Sequence, residues 1–502
     1  MRAESVQGFR TRQGSALWEK ANGRGPVGFC ADELPALCRG RLKRRSISVF
    51  PRLAGSLVLL VMLAPSLQAA GVKLPALKIH TLQLSNGLRA VMVNRGTAPV
   101  ITLEMWYHVG SRDEKPGERG IAHLLEHLMF DGTKTLGRHF SDYIVRVGGI
   151  DNAYTTTDAT VFWETMPTSN LPVALWLEAD RMHNLDITRE TLDNERHVVE
   201  EERRRRYLNP PYGTVIPTLY AHAFDVSPYH FLPIGLVRDV NDATVKEMRK
   251  FYRTYYVPNN ATVVIAGKFS VEEAEQDIRK YFGPIPSGTR PVSPRIPVEP
   301  PQTSERKVDM TRDVALPAFV EAFHIPADGT VDSYPLRLIS RVLSGGDTGL
   351  IYHQLVYQKE LALQAQSSAN FSEDPNLFFV FAVMNAGHTA AQGEAAVASI
   401  LKRLRDNALP ERELQKAKNE VLFDLASSRE DSKDLAEQMG YDSVVLNRPD
   451  LINTEARQFL AVTPKQIQAV ARKYFVRSNM TLLKVRPGKD GGATAPLQAG
   501  AH

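Results

Sequence analysis

The chain has 502 residues, 43% of them hydrophobic and 23% charged. That is enough for two or three domains and too apolar for a disordered protein. Its +5 formal charge misleads, because the first 70 residues carry 11 Lys and Arg against 4 Asp and Glu, a surplus of seven that leaves −2 for the rest. The remainder has no basic excess to offer a nucleic-acid backbone, so no nucleic-acid partner is expected.

The chain opens with about 40 polar residues, then a basic stretch (Arg41, Lys43, Arg44, Arg45, Arg52), an apolar run over 53–64, and Leu67-Gln68-Ala69-Ala70. Basic, apolar, then small residues is the order of a secretory signal peptide. An apolar run of about 12 residues falls short of the roughly 20 that span a bilayer, so no stable transmembrane anchor is expected. Residues 1–70 are therefore read as an N-terminal extension and signal, and the protein as periplasmic in a bacterium. Both cysteines, Cys30 and Cys38, lie in this leader. The mature chain has no thiol chemistry, and any metal site must use His, Asp and Glu.

Beyond the leader, Ile101, Leu103, Met105, Tyr107 and Val109 alternate with more polar residues, as do Ala159, Val161 and Trp163. Both patterns predict half-buried strands. Helical spacing runs over 118–130, 170–184, 189–206 and 243–256, and again over 331–345, 388–406, 410–426 and 464–474. A Pro-rich stretch from Pro284 to Pro301 divides the two series and reads as a linker.

The two sides repeat. RTYYVPNNATVVIA (253–266) and RKYFVRSNMTLLKV (472–485) stand 219 residues apart, and Thr244 and Thr463 keep that offset. The expected architecture is α+β, with two homologous domains, each a mostly antiparallel sheet with helices packed on one face. The boundaries are 75–283 for the N-terminal domain, 284–305 for the linker, 306–487 for the C-terminal domain and 488–502 for a flexible Gly/Ala-rich tail.

The segment GIAHLLEHLMF (120–130) carries the chemistry. Residues 121, 124, 125, 128 and 129 make one apolar stripe, and at about 100° per residue His123, Glu126 and His127 fall on the opposite face. Two histidines at i and i+4 can hold one ion, and Glu126 can reach a water on that ion without being a ligand. A catalytic zinc needs three protein ligands and one open position, and a nearby carboxylate to take the water proton.

ERHVVEEE (195–202) offers the third ligand from a second predicted helix, where Glu195 and Glu202 lie two turns apart on one face. Glu202 can bind while Glu195 orients a histidine. Spacing alone leaves Glu200 and Glu201 open, along with His108, His139, His183, His197, His222 and His230. The run of acids before Arg203–Arg206 also suits a solvated helix face.

From about residue 80 to 487 the chain resembles the insulinase, pitrilysin and mitochondrial processing peptidase family, which carries this inverted H-x-x-E-H zinc motif. The likeness rests on LSNGLRAVMV (84–93), VGSRDEKPGERGIAHLLEHLMFDGT (109–133), GGIDNAYTTTDATVFWE (148–164), ERHVVEEE (195–202), PYHFLPIG (228–235) and PNNATVVIAG (258–267). The resemblance implies a zinc-dependent endopeptidase acting on peptides or unfolded segments, with one Zn2+ per chain. It implies His123, His127 and Glu202 as ligands, Glu195 behind them, and Glu126 as general base. It also implies that Asn152, Ala153, Tyr154 and Thr155 lie at an edge strand to which substrate adds, with Phe130 alongside, and that homologous halves enclose a chamber.

One departure matters. Where the family's second half has Arg, and Tyr seven residues later, this chain has Val356 and Leu363, and neither donates a hydrogen bond. A homologous partner subunit that supplies Arg and Tyr is therefore expected, with a homodimer as the other form of assembly. A non-catalytic structural or peptide-binding subunit is the competing reading.

Overall fold

A computed structural model describes residues 74–137, 140–289 and 296–488. The leader with its signal and both cysteines, His139, part of the linker and the tail from 489 lie outside the described residues.

The fold is α+β, with two sheets. The first runs β1 (His80–Gln83), β2 (Arg89–Asn94), β3 (Val100–Tyr107), β4 (Ile150–Thr155), β5 (Thr160–Pro167) and β6 (Ala261–Gly267) along the chain, in the spatial order β1-β2-β6-β3-β5-β4. The second comprises β7 (Arg306–Arg312), β8 (Ala318–Ile325), β9 (Ala362–Ala369), β10 (Asn376–Met384) and β11 (Met480–Pro487), in the order β7-β11-β8-β10-β9. Each sheet is antiparallel except for one parallel pair, β2 with β6 and β7 with β11. Leaving β1 aside, the two orders superimpose strand for strand.

The 219-residue repeat is a repeat of structure. Thr244 and Thr463 each cap a helix, Val245–Tyr255 and Pro464–Tyr474, in reciprocal capping boxes with Glu247 and Gln466. Each helix leads into the strand parallel to its sheet's neighbour, β6 or β11. The inner face of each sheet packs on helices of its own half. Leu103, Met105 and Phe162 meet Leu124, Leu125 and Leu128 in one core. Phe319, Phe323 and Phe378 meet Leu336, Ile339 and Leu401 in the other.

The outer faces differ from the expectation. Alternation along β3 predicts a half-buried strand, yet Thr102 and Glu104 are as buried as their apolar neighbours. The reason is a helix from the second half, Ser432–Val444, whose Leu435, Ala436 and Met439 cover Trp106, Val161, Trp163 and Val264. The exchange is reciprocal. Helix Val215–Ala223 of the first half lays Val215, Leu219 and Tyr220 on Val320, Leu377, Phe379 and Leu483 of the second sheet. Each sheet thus has helices of its own half on one face and a helix of the other half on the opposite face.

Polar contacts fasten the same junction. Arg112 reaches Asp158 at 3.4 Å in its own half and Glu373 at 2.8 Å and Asp374 at 3.3 Å across the divide. The Tyr229 hydroxyl donates to Asp158 at 2.6 Å, and Asp158 also accepts from the Glu373 N–H at 2.9 Å. The linker is tied down as well: the Glu299 carboxylate accepts the backbone N–H groups of Asp225, Val226 and Ser227 at 2.8–3.0 Å.

Candidate metal centre

The motif helix, Ile121–Leu128, begins where the backbone turns left-handed at Gly120, φ 102°. A Cβ there would stand 2.8 Å from Val240, and one on Gly235 only 2.3 Å from Gly120 itself, so the two glycines let the helix start press against the 228–235 loop. The buried Glu114 carboxylate fills the N-cap role from six residues upstream, accepting the N–H of Gly120 at 2.8 Å and of Ala122 at 2.9 Å.

The acidic helix, Arg189–Arg203, starts at a Thr188 cap and packs across the polar face of the motif helix. Its last residue, Arg203, donates to the Ile234 carbonyl at 2.7 Å, while the Leu236 N–H bonds the Arg119 carbonyl at 3.2 Å. The 228–235 loop is therefore a bracket between the start of one helix and the end of the other. That bracket fixes which acid faces which histidine.

The helices bring His123, His127 and Glu202 together. Glu202 Oε2 lies 3.4 Å from both His123 Nε2 and His127 Nε2. Among the described residues this is the one trio of His, Asp and Glu groups whose ligand atoms all fall within 4.8 Å of one another. Two donors on one tetrahedral ion at about 2.0–2.1 Å stand about 3.3–3.4 Å apart, so the donor set fits zinc in kind and in spacing. Glu195 accepts from His127 Nδ1 at 3.2 Å and so aims Nε2 at the trio.

Five of the alternatives have other partners. Glu200 pairs with Asn241 and Glu201 with Arg204. His108 binds Glu373, His222 turns to the Thr218 carbonyl and His230 lies edge-on to Phe231.

Electrostatics prepare these groups. Burial, with help from Arg206 and Arg203, pulls the His123 imidazole down to about 3, so it is neutral and ready to ligate. Burial opposes charge on His127 too, but the Glu195 and Glu202 carboxylates push it up to about 10. Burial opposes charge on Glu202 as well, but His123, His127 and Arg206 overcome it and hold its carboxyl well below the usual range. Burial raises Glu126 to about 7, near neutrality, where a general base is most effective.

The edge-strand residues divide. β4 ends the sheet order, so its outer edge carries no strand among the described residues. Thr155 faces the motif helix, and its hydroxyl donates to Glu126 Oε2 at 2.6 Å, a contact the sequence does not announce. Tyr154 lies on the same edge strand, but its side chain faces the other way, edge-on to Trp106 beneath the crossing helix. Phe130 is partly buried against the first core, beside Phe162 and under the Arg181 guanidinium. Asn152 turns back on its own strand, accepting the Ala153 N–H at 2.8 Å.

Known proteins resemble this chain over most of its length. The profile described as Insulinase (Peptidase family M16) matches residues 89–230, and that of the Peptidase M16 inactive domain matches residues 242–421. The zinc protease PqqE of Helicobacter pylori is 33% identical over 441 residues, 87% of this chain and 98% of that protein. The chain belongs to the insulinase family, M16. This M16 chain is accordingly a metallopeptidase, and the inactive-domain profile falls on the half that lacks the motif helix. A crystal structure of a protease from H. pylori superimposes with a TM-score of 0.79 at 31% identity, covering 82% of this chain and all of that one. The periplasmic protease PqqL of Escherichia coli shares the fold, with a TM-score of 0.68 at 20% identity over 83% of this chain but only 48% of its own.

Proposed function

We propose that the chain is a zinc-dependent endopeptidase that hydrolyses peptides or unfolded polypeptide segments, with one zinc held by His123, His127 and Glu202. The observation that carries this reading is the convergence of those three donors beside a buried carboxylate, Glu126, that ligates nothing. Bound zinc would polarise the scissile carbonyl and make a water acidic near neutral pH.

The protein's own groups do the rest. Thr155 ties up Glu126 Oε2, which leaves Oε1 to accept the proton of the attacking water and to pass it to the leaving amine. An extended substrate adds to the outer edge of β4, one residue from that contact, through main-chain hydrogen bonds. Such pairing reads backbone rather than side chains, so cleavage preference is broad.

Two finer points belong to the same proposal. Val356 is half-buried against the second core and Leu363 is 62% exposed at the start of β9, and neither can donate to an oxyanion. A homologous partner subunit carrying Arg and Tyr fills that role. The leader exports the chain to the periplasm. This rests on the order of its basic, apolar and small segments, and PqqL is itself named periplasmic. Among the described residues, no helix is long and apolar enough to cross a membrane.

The test is chelator-sensitive cleavage of an unstructured, quenched peptide mixture by residues 71–502 alone. Glu126→Gln should lower turnover about 10^2–10^4-fold while zinc content stays unchanged. Turnover by the lone chain would discard the partner. Folded, zinc-loaded protein without turnover would favour an obligate heterodimer or a non-catalytic binding subunit, and co-purification from the native source followed by assay of the complex would separate the two.

A further inference from the structure

The two oxygens of Glu202 have different neighbours. Oε2 faces the histidines at 3.4 Å, while Oε1 accepts a hydrogen bond from Arg206 Nη1 at 2.7 Å. Arg206 stands one turn beyond Glu202, in the segment Arg204–Leu208 where the helix widens to π spacing and the Asn209 N–H returns to the Arg204 carbonyl at 2.8 Å. Single π turns of this kind recur at functional sites. The segment is anchored just before its start by Arg203, pinned to the Ile234 carbonyl, and within it, next after Arg206, by Tyr207, packed on the first core. The guanidinium is therefore delivered to one carboxylate oxygen by a backbone fixed on both sides.

We infer that Arg206 is a positioning residue of the metal centre: by engaging Oε1 it holds Glu202 as a one-oxygen ligand and keeps the fourth coordination position open for water. The inference rests on the assignment of His123, His127 and Glu202 as the zinc ligands. A glutamate with both oxygens unengaged turns readily to bind an ion through the pair, and the second oxygen then occupies the place where water must sit. An arginine N–H on that oxygen opposes the turn with a charge-assisted bond. It also adds a positive charge beside a site that gathers Glu195, Glu126 and Glu202.

The arrangement parallels that on His127, whose Nδ1 is held by Glu195 at 3.2 Å. Two of the three ligands thus have a fixed partner behind them. His123, whose Nδ1 is buried without a hydrogen bond among the described residues, depends on helix packing alone. The sequence offers no hint of this role: Arg206 is the last of four consecutive arginines, and its neighbour Arg204 makes only an exposed ion pair with Glu201.

The experiment uses the full chain in zinc-loaded and cobalt-substituted forms. Arg206→Met should weaken zinc binding about 10–100-fold in competition with a chromophoric chelator. It should also lower the intensity of the visible cobalt absorption, as four-coordinate metal becomes five-coordinate. Arg206→Lys, which keeps an N–H donor and the charge, should recover part of both effects. If Arg206→Met does not fold, Arg206→Ala, which also lacks a donor, carries the same comparison.

A cobalt spectrum identical to the parent's, with zinc affinity within about twofold, would overturn the inference and leave the zinc reading standing. A lower melting temperature with an unchanged spectrum would overturn it too, since that is all a purely structural role produces. If His123→Ala takes up as much zinc as the parent, the ligand assignment itself fails and the inference falls with it.

Discussion

In the first half, the Asn260 side-chain amide donates to the carbonyls of His108 and Tyr255 at 3.3 and 2.9 Å; in the second, Asn479 donates to those of His324 and Tyr474 at 3.0 and 2.9 Å. Capping boxes, parallel strand pairs and strand orders correspond in the same way. The helix pair that makes the metal centre also has a counterpart, Ser333–Ser344 against Glu411–Ser427, but that pair meets through Leu336, Ile339, Leu414, Ala417 and Val421. A scaffold repeated to the level of single hydrogen bonds therefore gathers two histidines and two glutamates in one copy and apolar side chains in the other. What the two helix pairs share is their place in the fold; what separates them is the side chains they present to each other.

The largest expected effect breaks this contrast at its centre. His127→Ala removes both a proposed zinc ligand and the group that Glu195 holds. Metal analysis should then show no retained zinc, and peptide turnover should fall with it. Alanine at the half-buried His353 of the second half should leave both unchanged.

The next test concerns independence of the halves. Leu219→Ala leaves a cavity on the second sheet, although Leu219 belongs to the first half, and Met439→Ala does the converse. Each should cost about 2–5 kcal/mol in denaturant unfolding, and calorimetry should show a single transition moving as a whole. Two separable transitions, with only one displaced by each variant, would show that the halves fold as ordinary independent domains.

A smaller effect is expected at Gly440, where the crossing helix lies directly on the Trp106 indole. A Cβ there would meet the ring at 2.1–2.2 Å. Gly440→Ala should destabilise by about 1–3 kcal/mol through overpacking, measured in the same unfolding experiments.

The smallest is a pH effect under the same helix. Burial pushes the Glu104 carboxyl up to about 8, against an ordinary value of 4.5, despite the lowering effect of Lys433 and the Trp106 N–H. The folded protein keeps that proton where the unfolded chain sheds it, so this contribution to stability is complete below 4.5 and is lost as pH rises towards 8. Glu104→Gln should therefore gain in melting temperature relative to the parent from about pH 5 to about pH 8. A constant difference across that range would place the ionised carboxylate in the fold.

The sequence by itself determined the elements and the chemistry on each. Helical spacing over 118–130, 189–206 and 464–474 and alternation along β3 are local signals, because a single helix or strand must present its apolar stripe wherever it packs. The same holds for the histidines at i and i+4, which share a face in any helix, and for the 219-residue repeat. Relations between elements have no such local cause, and only the tertiary structure decided them. Glu202 rather than Glu200 or Glu201 meets the histidines because the 228–235 loop brackets the two helices. Thr155 reaches Glu126, and Tyr154 turns away from it, because β4 pairs with β5 in one register and side chains alternate across a strand. The crossing helices Val215–Ala223 and Ser432–Val444 are the clearest case. Neither announces that its partner is a sheet of the opposite half, since burial against a surface some 200 residues away in sequence leaves the same apolar pattern as burial against a neighbour.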